Sequence, residues 1–234
     1  MTVANPAPSS PSLSIRPRAR RTRALVLGGA LACAVGTLAV PAGNAGAAPA
    51  AVVTAGTARL GDPAAAAAVA ALALLDRWTA SGGSEDAAAY AAARNALAAS
   101  IAGRLMLSAE AMSSAWSAAD LEHQRALLTA LSQLGVPYRR NTSKPGQGFD
   151  CSGLTTYAWG QAGFTLPRNS SAQIRSAEPR DPQTAQAGDL VQYPGHVMMW
   201  LGVDRAIVHA PQRGRTVEVD ILKRRSIRFG DPTE

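Results

Sequence analysis

The sequence predicts an α+β protein, in which an alanine-rich helical arm precedes a domain built from a helix packed on an antiparallel sheet. Three observations carry that expectation. Alanine and helical spacing dominate residues 63–134. At Gly135 the texture changes to glycine, proline and short β-type runs. Four such runs then follow one helical stretch, and a helix succeeded by strands segregates the two kinds of element. A chain of 234 residues accommodates one good-sized domain with an appendage.

The N-terminus is set apart first. Residues 1–23 are rich in proline and serine and carry Arg16, Arg18, Arg20, Arg21 and Arg23 without an acid; residues 24–40, ALVLGGALACAVGTLAV, are apolar or small. Ala45 and Ala47 then supply the small-residue pattern of a cleavage site, so residues 1–47 read as a secretory signal peptide and not as a retained anchor. Arg20 and Arg21 hint at a twin-arginine route, although the residues after them fit it poorly. Cys33 lacks the Leu three places before it that lipidation requires. Removing this segment lowers the formal charge from +7 to 18 basic against 16 acidic residues, a net of +2. A nucleic-acid reading based on overall basicity therefore falls away. Cys33 leaves with it, so the mature chain keeps Cys151 alone and has no internal disulfide.

Residues 48–62 are small and irregular, a flexible leader, and residues 63–118 form the arm. Asp62 as N-cap and Pro63 at the first helical position open a helix that runs through Leu72, Leu75 and Trp78 to Ser81, Gly82 and Gly83. Ser84 opens a second helix with Tyr90, Leu97 and Ile101 at helical spacing. A shorter one surrounds Met106 to Trp116. Asp120 begins a fourth, with Leu121, Leu127, Leu128, Leu131 and Leu134 as its apolar stripe. Alanine-rich helices bury little area each, so the arm is expected to lean on the domain that follows. Wall spacer, autoinhibitory flap and dimerisation element are all compatible with it.

Residues 119–234 form the second domain. A helix spans 152–163, starting at Cys151, and strands are expected at DLVQY (189–193), HVMMWLG (196–202), AIVHA (206–210) and TVEVD (216–220). From Gly135 onward there are 13 basic and 9 acidic residues, a bias that suits an anionic polymer. Within GFDCSGL (148–154), Cys151 sits at a helix start, where free N–H groups and the helix dipole favour a thiolate. The N–H groups of Cys151 and Ser152 are placed to hold an oxyanion, and Gly153 is expected to leave room for substrate. The chain's histidines are His123, His196 and His209. His123, between Glu122 and Gln124, reads as a surface residue. His196 opens one strand and His209 ends the next, so a hairpin between them brings both imidazoles toward one end of the sheet. A thiol, a base and a group orienting the base make a nucleophilic triad.

Taken together, GVPYRRNTS, GFDCSGLTTYAW, LPRNSSAQ, AGDLVQY, PGHVMMWLG and AIVHAP, in this order and spacing, resemble the NlpC-type cysteine peptidases of bacterial cell walls. The likeness covers residues 131–220. It implies a papain-like α+β domain that cuts the peptide stems of peptidoglycan between D-glutamate and the diamino acid, without a cofactor. By the same resemblance Cys151 is the nucleophile, His196 the general base and His209 the orienting third member. Tyr138 matches an oxyanion or substrate-positioning residue. Asp150 and Ser152 match substrate contacts, with Asp150 equally able to serve as a helix cap, and Arg168 and Ser170 match a substrate-side loop. Arg139 and Arg140 depart from the family pattern, which has an aromatic and glycines there.

Other readings remain in view. An N-acetylmuramoyl-L-alanine amidase or an acyltransferase would use the same thioacyl chemistry, and a wall-binding protein would need none. A metal site of Cys151, His196 and His209 lacks a fourth ligand and a compact zinc spacing. The expected partners are peptidoglycan stem peptides, with no nucleic acid and no stable membrane insertion after cleavage. The expected location is the cell wall or exterior of a bacterium.

Overall fold

The computed structural model describes residues 61–233. The expected signal peptide and most of the leader lie outside the described residues.

The arm begins with α1 (Pro63–Ser81), where the Asp62 carboxylate accepts from Ala64 N at 3.0 Å and proline occupies the first turn. Gly82, at φ 64°, closes α1 in the left-handed conformation that only glycine adopts without strain. Then come α2 (Ser84–Leu105), α3 (Ala109–Ala118), capped by Ser108, and α4 (Leu121–Leu131), capped by Asp120. Leu127, Leu128, Leu131 and Leu134 of the expected stripe are buried, whereas Leu121 is 37% exposed.

Two short strands follow, β1 (Ser143–Lys144) and β2 (Gly148–Phe149), and then α5 (Cys151–Gln161) and α6 (Ser170–Ser176). The remaining strands are β3 (Glu178–Arg180), β4 (Leu190–Tyr193), β5 (His196–Trp200), β6 (Ala206–His209), β7 (Glu218–Ile221) and β8 (Arg228–Asp231). They form an antiparallel sheet of order β3-β8-β4-β5-β6-β7. The architecture is the expected α+β one. Four of its strands match the sequence pattern, but β3 and β8 do not announce themselves. β3 contains Pro179, which an edge strand tolerates because its missing N–H need not enter the ladder. β8 contains Gly230 and the exposed Arg228, and it is recruited between β3 and β4 from the end of the chain.

One core runs from the arm into the sheet. It joins Ala68, Leu75, Leu97 and Trp116 of the arm to Leu131, Leu154, Trp159, Val197, Met199 and Val208. The other face of the sheet carries a smaller cluster of Val191, Met198, Trp200, Ile207, Leu222 and Phe229. The alternation of Val197 and Met199 against Met198 and Trp200 is the period-two signature of a strand covered on both sides. The arm leans on the sheet as expected, and two contacts show how. Trp116 Nε1 donates to Leu201 O at 2.9 Å in the interior. At Gly202 a Cβ would lie 2.7 Å from that of Ala115, so glycine lets α3 approach. No described helix is long and apolar enough to cross a membrane.

Candidate active site

The first turn of α5 is fixed from several directions. Asp150 is its N-cap: Oδ1 accepts from Gly153 N at 2.7 Å, and Oδ2 accepts from Asn141 N at 2.6 Å and from Arg168 Nη2 at 2.9 Å. Arg168 Nη1 also donates to Ser152 Oγ at 2.9 Å. Asp150 is buried and its oxygens are engaged, so the structure shows it as a cap that orders the turn carrying Cys151. With Gly153 N taken by the cap, and Leu154 N donating to Asp150 O at 3.0 Å, the N–H groups of Cys151 and Ser152 are the two left without a partner inside the helix. Cys151 is a free, partly buried thiol.

The same helix packs against β5, which His196 opens. β5 and β6 are antiparallel, and His196 Nε2 lies 2.9 Å from His209 Nδ1. Burial pushes the pKa of His196 down to about 4. His209 is likewise pushed down to about 4, by burial first and then by its proximity to His196. Both rings are therefore neutral near pH 7, and one of the two facing nitrogens must carry hydrogen while the other accepts. Tyr138 is half-buried; its N donates to Arg215 O at 2.8 Å, and it bridges Phe149, two residues before Cys151. Partial burial raises its phenol pKa, and the charges of Cys151 and Asp150 push the same way, so it remains a hydrogen-bond donor.

A family model described as the NlpC/P60 family matches residues 135–228. These residues are an NlpC/P60 domain. The resemblance read from the six motifs is thus shown. Over 93 residues the chain is 38% identical to a probable endopeptidase of Mycobacterium tuberculosis, covering 38% of this chain and 24% of that protein. It is also 38% identical over 95 residues to a gamma-D-glutamyl-L-lysine dipeptidyl-peptidase of Bacillus cereus, covering 37% of this chain and 28% of the relative. The chain thus spans about a quarter of the length of these curated relatives. Among solved structures, the P60 domain of an antigen from M. avium subspecies paratuberculosis is 27% identical with a TM-score of 0.43, covering 48% of this chain and 96% of that domain.

Within the NlpC/P60 domain the remaining expected site residues are dispersed by role. Ser152 is buried, its hydroxyl accepting from Arg168. Ser170 is half-buried at the first turn of α6, whose N-cap is Asn169. Gly153 corrects one expectation. A Cβ there would lie 2.1 Å from Thr142 O, so its missing side chain makes room for the chain's own backbone and not for substrate. His123 corrects another. It is fully buried, with Nδ1 2.6 Å from Asp120 Oδ1 and Nε2 2.9 Å from Asp189 Oδ1 and 3.4 Å from Asp231 Oδ1. Burial alone would push its pKa down, but bonds to Asp189 and Asp120 outweigh it, and the pKa is raised.

One residue that organises the site went unrecognised. Buried Gln173 of α6 places Nε2, with its two hydrogens, within bonding distance of Ser152 O at 3.0 Å, Thr156 Oγ1 at 2.9 Å and Pro167 O at 2.8 Å, and its Oε1 accepts from Thr155 Oγ1 at 2.6 Å. It pins α6 to the first turns of α5. Its only sequence signal is its place at the end of LPRNSSAQ.

Proposed function

We propose that the chain is an exported cysteine peptidase that cleaves peptidoglycan stem peptides through a Cys-His-His thioacyl mechanism. The observation that carries this reading is the 2.9 Å pairing of His196 Nε2 with His209 Nδ1 on the sheet that supports the Cys151 helix. Cys151 attacks the stem carbonyl as His196 takes the thiol proton on Nδ1, the nitrogen left over from the pairing with His209. The N–H groups of Cys151 and Ser152, with the Tyr138 hydroxyl, stabilise the oxyanion. His196 then protonates the departing amine, and water, deprotonated by the same ring, releases the acyl group. Asp150, Arg168 and Gln173 hold the helix mouth in position.

The Bacillus cereus relative and a gamma-DL-glutamyl hydrolase of Bacillus subtilis, 36% identical over 96 residues, support a D-glutamyl–diamino acid bond as the target. The basic excess after Gly135 fits an acidic stem. Action on the wall places the enzyme outside the membrane, in keeping with a cleaved leader. The test is digestion of purified peptidoglycan by the chain from residue 48 onward and by Cys151→Ala, with the muropeptides identified by mass spectrometry. New termini within the stem, absent with Cys151→Ala, are the expected result. Release of intact stems from the sugar would make the chain an amidase. Binding without any new terminus would make it a wall-binding protein.

A further inference from the structure

A neutral histidine is a weak third member: it offers a lone pair to the imidazolium formed on His196 but no negative charge. The sheet register supplies what is missing. His209 and Glu218 are direct cross-strand partners on β6 and β7. His209 Nε2 lies 3.5 Å from Glu218 Oε1; Nε2 is buried without a hydrogen bond, and the buried Oε1 otherwise meets the Arg215 guanidinium. When His196 donates from Nε2, His209 Nδ1 must accept, which forces the His209 hydrogen onto Nε2, the nitrogen turned to Glu218.

We infer that Glu218 is a positioning residue that acts through His209, selecting its tautomer and lending negative charge to the His196 imidazolium. The inference rests on the peptidase reading above. At 3.5 Å the resting contact is longer than a hydrogen bond, and it shortens as positive charge develops on His196. No proton need leave His209. The carboxylate is restrained from the solvent side by Arg215, whose Nε donates to Oε2 at 3.2 Å and whose Nη2 contacts Oε1. The charged and titratable groups around the pair are thus His196, Arg215 and Asp220, the last on the same strand as Glu218. Arg215 tempers the charge that Glu218 passes on.

The experiment compares Glu218→Gln, Glu218→Asp and Arg215→Gln with the unsubstituted chain by two readouts. These are kcat and KM on stem-peptide fragments, and the pH dependence of Cys151 alkylation by iodoacetamide, which needs no substrate. Glu218→Gln is expected to lower kcat about tenfold with KM little changed, the size of one charge acting through a ring at an effective dielectric of about 20. It also moves the acid limb of alkylation to higher pH, because the thiolate–imidazolium pair loses support. Glu218→Asp restores part of both. Arg215→Gln moves the limb to lower pH, and serves should Glu218→Gln fail to fold. An alkylation profile and kcat unchanged in Glu218→Gln, or an unmoved limb in Arg215→Gln, overturns the inference while Cys151→Ala still abolishes cleavage. Cleavage that survives Cys151→Ala overturns the underlying reading instead.

Discussion

The molecule buries histidine in two places and shifts its pKa in opposite directions. His196 and His209 are 7% and 9% exposed, close to His123 at 0%. Burial lowers the first two to about 4, so they are neutral at physiological pH. His123 meets the same desolvation, yet Asp189 and Asp120 bond its two nitrogens, Asp231 stands beside them, and its pKa is raised. Depth therefore does not set the charge of a buried imidazole; its immediate partners do. The neutral pair is able to take up a proton in a reaction. The His123 ring, held by carboxylates at both nitrogens, is a bolt between the start of α4, the approach to β4 and the end of β8.

The largest test of this contrast is His196→Gln. It should lower kcat by about a thousandfold or more, as loss of a general base does in nucleophilic triads, with the melting temperature nearly unchanged. His123→Leu should do the reverse. It leaves Asp189 and Asp231 buried with Arg180 as the remaining described cation near them, 2.7 Å from Asp231, and should cost about 3–5 kcal/mol of stability by denaturant unfolding.

A pH series sharpens the comparison. A histidine whose folded pKa is depressed binds its proton more tightly when unfolded, so His196 and His209 withdraw stability as pH falls from 6.5 toward about 4. His123 has a raised folded pKa; its contribution is complete below 6.5 and is lost as pH rises through that raised value. The melting temperature should therefore decline on both sides of the region near pH 6.5. His123→Leu should flatten the alkaline side, and the double variant His196→Gln, His209→Gln the acid side. A profile that loses the wrong limb would break the assignment. The smallest effect is expected at the arm. Trp116→Phe leaves Leu201 O unpaired and should cost about 1–3 kcal/mol by the same unfolding measurement.

Much of the surroundings of Cys151 was legible because it is local. Asp150, Cys151 and Gly153 lie within one helical turn, so their spacing alone announces a capped helix start. His196 and His209 are 13 positions apart across one hairpin, a separation that strand alternation can read. Gln173 was not legible: it reaches Ser152 across 21 positions, and a glutamine in a short polar helix gives no sign of being buried. β8 was missed because the pairing that makes it a strand comes from β3 and β4, not from its own side chains.

By itself, the sequence determined the four helices before Gly135, α5 and strands β4 to β7, the capped turn that presents Cys151, and the neighbouring placement of two histidines, because each follows from spacing over a few residues. Only the tertiary structure decided that His123 is buried between carboxylates that raise its pKa, that Asp150 caps the Cys151 helix, and that Gly153 yields to the Thr142 carbonyl. These outcomes depend on groups brought together by packing: Asp189 meets His123 across 66 positions of chain, a separation over which local periodicity carries no information.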